Sequence, residues 1–285
     1  MNELITITWA VTSKCNYNCH YCYARYDYHN ESLDMKDSLK DTIINKLKEL
    51  SKTNPIRLII LGGEPTLYDG LSSLCKEVIQ FCKFVTIVTN GTNIEALEIL
   101  PQNISIMLSY HGQDVNDFTS IIKTVAKKHN IEIACVIDPK CIENVIRLGN
   151  WCKNNNISIE MIPMLHNETQ ESEVYTDELL SKLYTDVYYY NPNIELFNDE
   201  KLSCIDIYKK CRYNIFNRQN KKIKLCLQPS LTISVDGFIN PTCPTGQLTY
   251  RTHISDDKAF RYHLVCDFPR CLLNRGAMDL SGWRI

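Results

Sequence analysis

The sequence predicts an α/β fold, a partial (β/α)6 barrel of parallel strands followed by a small C-terminal α+β module. Two patterns carry this. Over the first 165 residues strand-like and helix-like stretches alternate, the signature of parallel βα units with right-handed crossovers. Within the strands, one face is repeatedly polar. Six units are too few for a closed eight-fold barrel, which leaves an open one.

The strands are expected at Ile5–Thr12, Arg57–Leu61, Val85–Asn90, Ile104–Ser109, Ile131–Ile137 and Ile157–Ile162. The helices between them are expected near Asp37–Lys52, Leu71–Lys83, Ile94–Leu100, Val115–His129 and Ile142–Asn155. Alternate residues of a strand face opposite sides. Thr6, Thr8 and Thr12 oppose Ile5, Ile7 and Val11; Ser105, Met107 and Ser109 oppose Ile104, Ile106 and Leu108; Ser158 and Glu160 oppose Ile157, Ile159 and Met161. Parallel strands covered on both faces read as apolar on both. A polar face here is therefore expected to line a ligand-sized lumen. From Thr176 the texture changes, with a tyrosine-rich helical stretch at Asp177–Tyr190, Asn191-Pro192-Asn193, and then short strands, turns and cysteines. We place the barrel core at 1–175 and the C-terminal module at 176–285.

Composition narrows the class. The chain has 285 residues, 44% hydrophobic and 22% charged, with a formal net charge of −2. This is ordinary globular composition, without the basic excess of a nucleic-acid binder. No stretch offers roughly 18 unbroken apolar residues for a membrane span, and the start lacks the basic n-region of a secretion signal. The expected location is the cytoplasm, where the fourteen cysteines would stay reduced.

The most informative run is Cys15-Asn-Tyr-Asn-Cys19-His-Tyr-Cys22, with spacing C-x3-C-x2-C. Three thiolates this close can hold three corners of a cubane iron–sulfur cluster and leave the fourth iron open. Zinc is the competing occupant. It usually takes paired C-x2-C units and a fourth ligand, which His20 or His29 would supply. With aromatic Tyr21 before the third cysteine, the run resembles the signature of the radical S-adenosylmethionine (SAM) superfamily. The resemblance implies a [4Fe–4S] cluster at Cys15, Cys19 and Cys22 whose open iron binds SAM. It also implies reductive cleavage to a 5′-deoxyadenosyl radical that abstracts hydrogen from the substrate, with an external electron donor such as flavodoxin or ferredoxin.

Gly62-Gly63-Glu64-Pro65-Thr66 follows the second strand. Two glycines let the backbone approach a ligand closely, and ligands bind at the ends of parallel strands. One βα unit after the cysteines, this run matches the family motif that grips the amino group of SAM, and the resemblance assigns that role to Gly62, Gly63, Glu64 and Pro65. Thr89-Asn90-Gly91 is a turn by its own chemistry; it resembles the Thr-Asn-Gly of relatives, which adds Asn90 to the cofactor side with Tyr21. Ser109, on the polar face at a strand end, matches the hydroxyl that bonds the SAM ribose in relatives. Glu160 and His111 are candidates for substrate binding and proton relay. Arg147 and Arg212 are candidates for the SAM carboxylate.

Cys226 and Cys243 flank a hairpin that turns at Asp236-Gly237, and Cys266 and Cys271 follow. Four such ligands close an iron–sulfur cluster. The hairpin resembles the SPASM/twitch modules of radical SAM enzymes, which implies one auxiliary [4Fe–4S] cluster. The x4 spacing of Cys266 and Cys271 departs from the commoner x2; Cys204 or Cys211 is a substitute, and zinc an alternative metal. Cys75, Cys82, Cys135 and Cys152 sit among apolar neighbours and are expected in the core.

The expected activity is hydrogen abstraction from a small metabolite, leading to oxidation, cyclisation or rearrangement. The first strand starts within five residues of Met1, which speaks against an N-terminal leader-binding domain and so against a ribosomal-peptide substrate. A peptide maturase is the alternative within the family. A non-catalytic iron–sulfur or zinc protein is the alternative outside it.

Overall fold

A computed structural model of the chain describes residues 4–22, 33–163, 230–241 and 252–255. They fall into two compact units. The first takes described residues within Met1–Met107, Thr124–Asn130 and Leu225–Cys266; the second takes those within Leu108–Lys123 and Ile131–Lys224.

The first unit opens with β1 (Ile5–Ala10), α1 (Asp37–Ser51), β2 (Ile56–Leu61), α2 (Leu71–Val78), β3 (Phe84–Thr89) and α3 (Ile94–Glu98). β1 pairs with β2 in parallel, Ile5 opposite Ile56 through Ala10 opposite Leu61, and β2 pairs with β3 in parallel. The α/β alternation follows from the side-chain pattern. α1 buries Ile43, Ile44 and Leu47, and α2 buries Leu71, Leu74, Cys75 and Val78, each a stripe at helical spacing. Trp9 and Ile7 on β1 and Leu58, Ile59 and Ile60 on β2 are fully buried, and Trp9 Nε1 points at Met35 Sδ, 3.1 Å away.

The hairpin expected around Asp236-Gly237 is present, as β7 (Ser230–Ile233) and β8 (Phe238–Pro241). Gly237 makes the turn at φ +83°, where an L side chain is strained. Its place in the sheet was not legible in the sequence: β7 lies parallel to β1, Thr6 opposite Ser230. β8 pairs antiparallel with a two-residue strand, β9 (Thr252–His253).

The second unit holds α4 (Val115–Val125) up to Lys123, β5 (Ile131–Ile137), α5 (Ile142–Asn154) and β6 (Ile159–Pro163). β4 (Ser105–Tyr110) contributes its last three residues. β5 and β6 are parallel, Ile133 opposite Ile159 and Ala134 opposite Glu160. α5 buries Val145, Ile146, Leu148 and Cys152. Phe118 and Tyr110 are fully buried with rings edge-to-face at 5.1 Å, and the Tyr110 hydroxyl donates to the Gln113 carbonyl at 2.7 Å.

All six expected barrel strands and five helices are present, with ends that differ from the expected ones by up to five residues. α2 stops at Val78 rather than Lys83, because the chain tightens into successive three-residue turns at Gln80 and Phe81. α4 stops at Val125 rather than His129. His129 is instead buried, its two ring nitrogens bonding the carbonyls of Ile104 and Leu97 at 3.1 Å each. β6 starts two residues late, after Asn156 takes a left-handed φ of 56°. β1 ends at Ala10 rather than Thr12, for a reason given below. The stretch expected as helix at Asp177–Tyr190 lies outside the described residues. No helix among the described residues is long and apolar enough to cross a membrane.

Truncating the fully buried Phe118 to Ala is expected to cost about 3–5 kcal/mol in an equilibrium urea titration. A loss under about 1 kcal/mol would show that this side chain does not pack as described.

Candidate functional site

The site begins where β1 leaves the sheet. Past Ala10 the chain stays hydrogen-bonded on both sides. On one side Val11 N–H donates to Leu61 O, Gly63 N–H to Thr12 O at 2.8 Å and Glu64 N–H to Lys14 O at 2.7 Å. On the other, Met35 N–H donates to Val11 O and Ser13 N–H to Leu33 O, with Thr12 bridged antiparallel to Asp34. This change of partner ends the regular strand early. The Thr12 hydroxyl bonds an Asp34 carboxylate oxygen at 2.7 Å, and Lys14 makes an ion pair with Asp34.

The two glycines of the Gly-Gly-Glu-Pro run serve this junction. A Cβ on Gly62 would lie 2.2 Å from Thr12 O, and one on Gly63 would lie 2.3 Å from Lys14 O. The close approach is to the chain's own backbone at residues 12–14, one residue short of Cys15. The glycines thus determine where the cysteine loop starts.

Glu64 is 1% exposed. Its Oε1 accepts from Thr66 N at 3.1 Å, Thr66 Oγ1 at 2.6 Å and Thr89 Oγ1 at 2.6 Å; its Oε2 accepts from Asn90 N at 2.7 Å. A buried carboxylate needs such donors, and these tie the end of β2 to the end of β3. Glu64 also caps the short 3₁₀ turn Pro65–Leu67. The Asn90 side chain is turned toward the cysteine loop: Nδ2 donates to Asn16 Oδ1 at 2.8 Å.

Cys15 is exposed, and Cys19 and Cys22 are partly so; none is in a disulfide. A turn with Cys22 N–H on Cys19 O and a Tyr17 N–H bond to Cys15 Sγ at 3.3 Å shape the loop. Partial burial pushes the thiols of Cys15 and Cys19 up; Glu64 and Cys22 add to the shift at Cys15, and Cys22 and Cys15 at Cys19. Like-charge coupling of this kind means that the sulfurs and Glu64 share one small region. Tyr21 stacks edge-on against His20 at 5.0 Å and hydrogen-bonds the Cys19 thiol. Three thiols on one loop have the donor chemistry an iron–sulfur cluster takes, but among the described residues no three His, Cys, Asp or Glu side chains converge into a metal-holding group.

Cys15, Cys19, Cys22, Tyr21, Gly62–Pro65 and Asn90 are thus all in the first unit. Ser109, His111 and Glu160 are in the second. Ser109 is partly buried near the C-terminal end of β4. His111 N–H donates to Gln113 Oε1 at 2.7 Å, and burial lowers its imidazole pKa to about 4, so it is neutral at physiological pH. Arg147 is exposed on α5. Glu160, on β6, is 5% exposed, and its Oε1 has no hydrogen-bond partner among the described residues. Burial, with the Glu132 carboxylate adding to it, holds the Glu160 carboxyl well above the ordinary carboxylate range. Cys75, Cys82, Cys135 and Cys152 are buried as expected, and desolvation lifts the thiols of Cys75, Cys82 and Cys152 to about 12. Cys204, Cys211, Arg212, Cys226, Cys243, Cys266, Cys271 and His29 lie outside the described residues. Sequence reasoning missed Asn16, Thr12 and Thr92. An amide between two motif cysteines was the available signal for Asn16.

The Radical SAM superfamily model matches residues 9–180, well over half the chain. The chain belongs to the radical SAM superfamily. A SAM-dependent nucleotide dehydratase of Fibrobacter sp. (strain UWH6) is 26% identical over 196 residues, covering 67% of this chain and 50% of that protein. One from Selenomonas ruminantium is 31% identical over 91 residues, 32% of this chain and 31% of the relative. The chain thus spans about half the length, or less, of these curated relatives. Among solved structures, Streptococcus suis SuiB bound to precursor peptide SuiA superposes with a TM-score of 0.60 at 17% identity, covering 100% of this chain and 67% of that one. AnSMEcpe with bound AdoMet and Cp18Cys peptide gives 0.57 at 15% identity, covering 98% and 82%. These likenesses show the shared fold.

Two outcomes follow. Gly63→Ala is expected to lower stability by about 1–3 kcal/mol through overpacking, read by thermal or urea unfolding; a wild-type midpoint would mean that the backbone crossing at Lys14 is not tight. For Glu160, the folded state keeps a proton that the unfolded chain releases, so its contribution is lost as pH rises from 4.5 toward the raised value. Glu160→Gln is accordingly expected to raise the urea midpoint at pH 7 and to change it less at pH 4. An equal effect at both pH values would contradict the raised carboxyl.

Proposed function

We propose that this chain is a radical SAM enzyme acting on a small metabolite, with a nucleotide as the leading substrate class. The observation that carries the enzyme reading is the direct hydrogen bonding of the Gly-Gly-Glu run to residues 12–14, which puts the cysteine loop and the ends of β2 and β3 in one place. The nucleotide class is supported by the dehydratase relatives, at 26% and 31% identity.

In this reading Cys15, Cys19 and Cys22 each ligate one iron of a [4Fe–4S] cluster. When bound, the cluster and SAM together supply the radical that abstracts hydrogen from the substrate. The protein's part is positioning. The Gly62–Pro65 backbone meets the amino group of SAM, while the Glu64 carboxylate, saturated on Oε1 by three protein donors, holds that backbone against β3. Tyr21 lies on the cofactor side, next to Cys19. Ser109 bonds the ribose and Arg147 or Arg212 the carboxylate. Glu160 and His111 face the substrate. A neutral imidazole at His111 can accept a proton, and a protonated Glu160 can both donate and accept a hydrogen bond. The C-terminal region would be a twitch-type module in which Cys226, Cys243, Cys266 and Cys271 hold one auxiliary [4Fe–4S] cluster. Electrons would come from a flavodoxin or ferredoxin, and the working compartment would be the cytoplasm.

The anaerobically reconstituted protein, reduced with dithionite, is expected to release 5′-deoxyadenosine from SAM, faster when a member of a panel of nucleotides covering all the common bases is added. Cys19→Ala is expected to abolish the release. About eight iron per chain would accompany two clusters and about four a single one. Wild-type protein with bound iron but no 5′-deoxyadenosine would overturn the enzyme reading; release indifferent to every nucleotide would overturn the substrate class.

A further inference from the structure

The exposed side chain of Asn16, between the first two motif cysteines, is held in a closed ring of hydrogen bonds. Asn16 Nδ2 donates to Thr92 Oγ1 at 2.8 Å. The Thr92 hydroxyl donates onward to Asn90 Oδ1 at 2.7 Å. Asn90 Nδ2 closes the circuit on Asn16 Oδ1 at 2.8 Å. Every group in the ring donates once and accepts once in the same sense, the arrangement in which hydrogen bonds polarise and reinforce one another. The sense also assigns both amides, because flipping Asn16 alone sets its Nδ2 against Asn90 Nδ2, and flipping Asn90 alone sets its Oδ1 against Asn16 Oδ1.

The ring is anchored on its inner side. Asn90 is 4% exposed, its N–H donates to Glu64 Oε2 at 2.7 Å, and Thr92 N–H reinforces Asn90 Oδ1 at 3.0 Å. On its outer side is the cysteine loop. Residues 12–14 are held by backbone pairing to Leu33–Met35 and Leu61–Glu64. One residue past Cys15, the Asn16 side chain ties the loop to the body of this unit.

We propose that the Asn16–Thr92–Asn90 ring is a latch that fixes the Cys15 end of the loop before any cluster is bound, and that Asn16 is a positioning residue for the cluster. The inference rests on the proposal that Cys15, Cys19 and Cys22 ligate iron. It moves Asn90 from direct cofactor contact to support of the cysteine loop. It also joins the two halves of the site: Glu64 orients Asn90, Asn90 orients Asn16, and Asn16 sets Cys15. The ring consists of local, uncharged groups, so salt should not disturb it.

The test uses the full chain with Asn16→Ala, Thr92→Val and the double variant. In the apo protein, amide hydrogen exchange of the peptide covering residues 15–22 is expected to quicken about tenfold in each single variant, the order that one net hydrogen bond carries. The double variant should be no faster than either single, because one break opens the ring. In the reconstituted protein, loss of iron to a chelator should quicken by a similar factor, with a broadened electron paramagnetic resonance (EPR) signal from the reduced cluster. The thermal midpoint of Asn16→Ala should stay near wild type, since the residue is exposed. Unchanged exchange in Asn16→Ala, or effects that simply add in the double variant, would overturn the latch. If wild type takes up no iron while exchange still quickens in the variants, the loop is latched as described but the cluster assignment falls. If iron retention is unaffected while exchange quickens, the positioning role falls.

Discussion

Everything at this site depends on how residues 11–14 leave the sheet. At that point β1 exchanges regular pairing for two irregular neighbours, Leu61–Glu64 on one side and Leu33–Met35 on the other. Backbone groups left unpaired at a buried strand end are costly, and this exchange satisfies them. It also aims the next residue, Cys15, outward from a rigid base. Without Gly62 and Gly63 the two backbones cannot come this near.

The glycine pair therefore has a structural reason that is independent of any ligand. From the sequence the close approach is expected toward a cofactor, whereas the atoms the two glycines meet are Thr12 O and Lys14 O. Both statements hold if the same backbone meets SAM on its other edge. Glu64 has a similar double character. Its carboxylate is consumed by Thr66, Thr89 and Asn90, so its contribution is to lock strand ends in register and to keep a negative charge close to Cys15 and Tyr17.

Much of this was legible from periodicity and spacing. The strands Ile5–Ala10 and Ile131–Ile137 read directly, because β-branched residues alternate with polar ones there. Helix ends were less legible, since Phe81, Cys82 and His129 continue a plausible helical pattern while making turns and buried side-chain bonds instead. The parallel pairing of β7 with β1 joins residues more than two hundred positions apart, and no local pattern encodes it. At the site, the motif residues Cys15, Cys19, Cys22, Gly62–Pro65 and Asn90 were found by type and spacing. Asn16, Thr12 and Thr92 were not, because an amide or hydroxyl acquires meaning only when its partner, 74 residues away for Asn16 and Asn90, is known. Ser109 and Glu160 were chosen for their place on the polar face and His111 for proton relay, and Glu160 emerged as a buried carboxyl with one oxygen unpartnered among the described residues.

The central claim is that the Cys15–Cys22 loop presents a cluster with one iron free to take SAM. It is tested most directly by low-temperature EPR of the reduced, reconstituted protein with and without SAM. The account predicts a [4Fe–4S]⁺ signal whose g values shift when SAM is added, with the shift lost in a Cys22→Ala variant. A cluster signal that is identical with and without saturating SAM would contradict it.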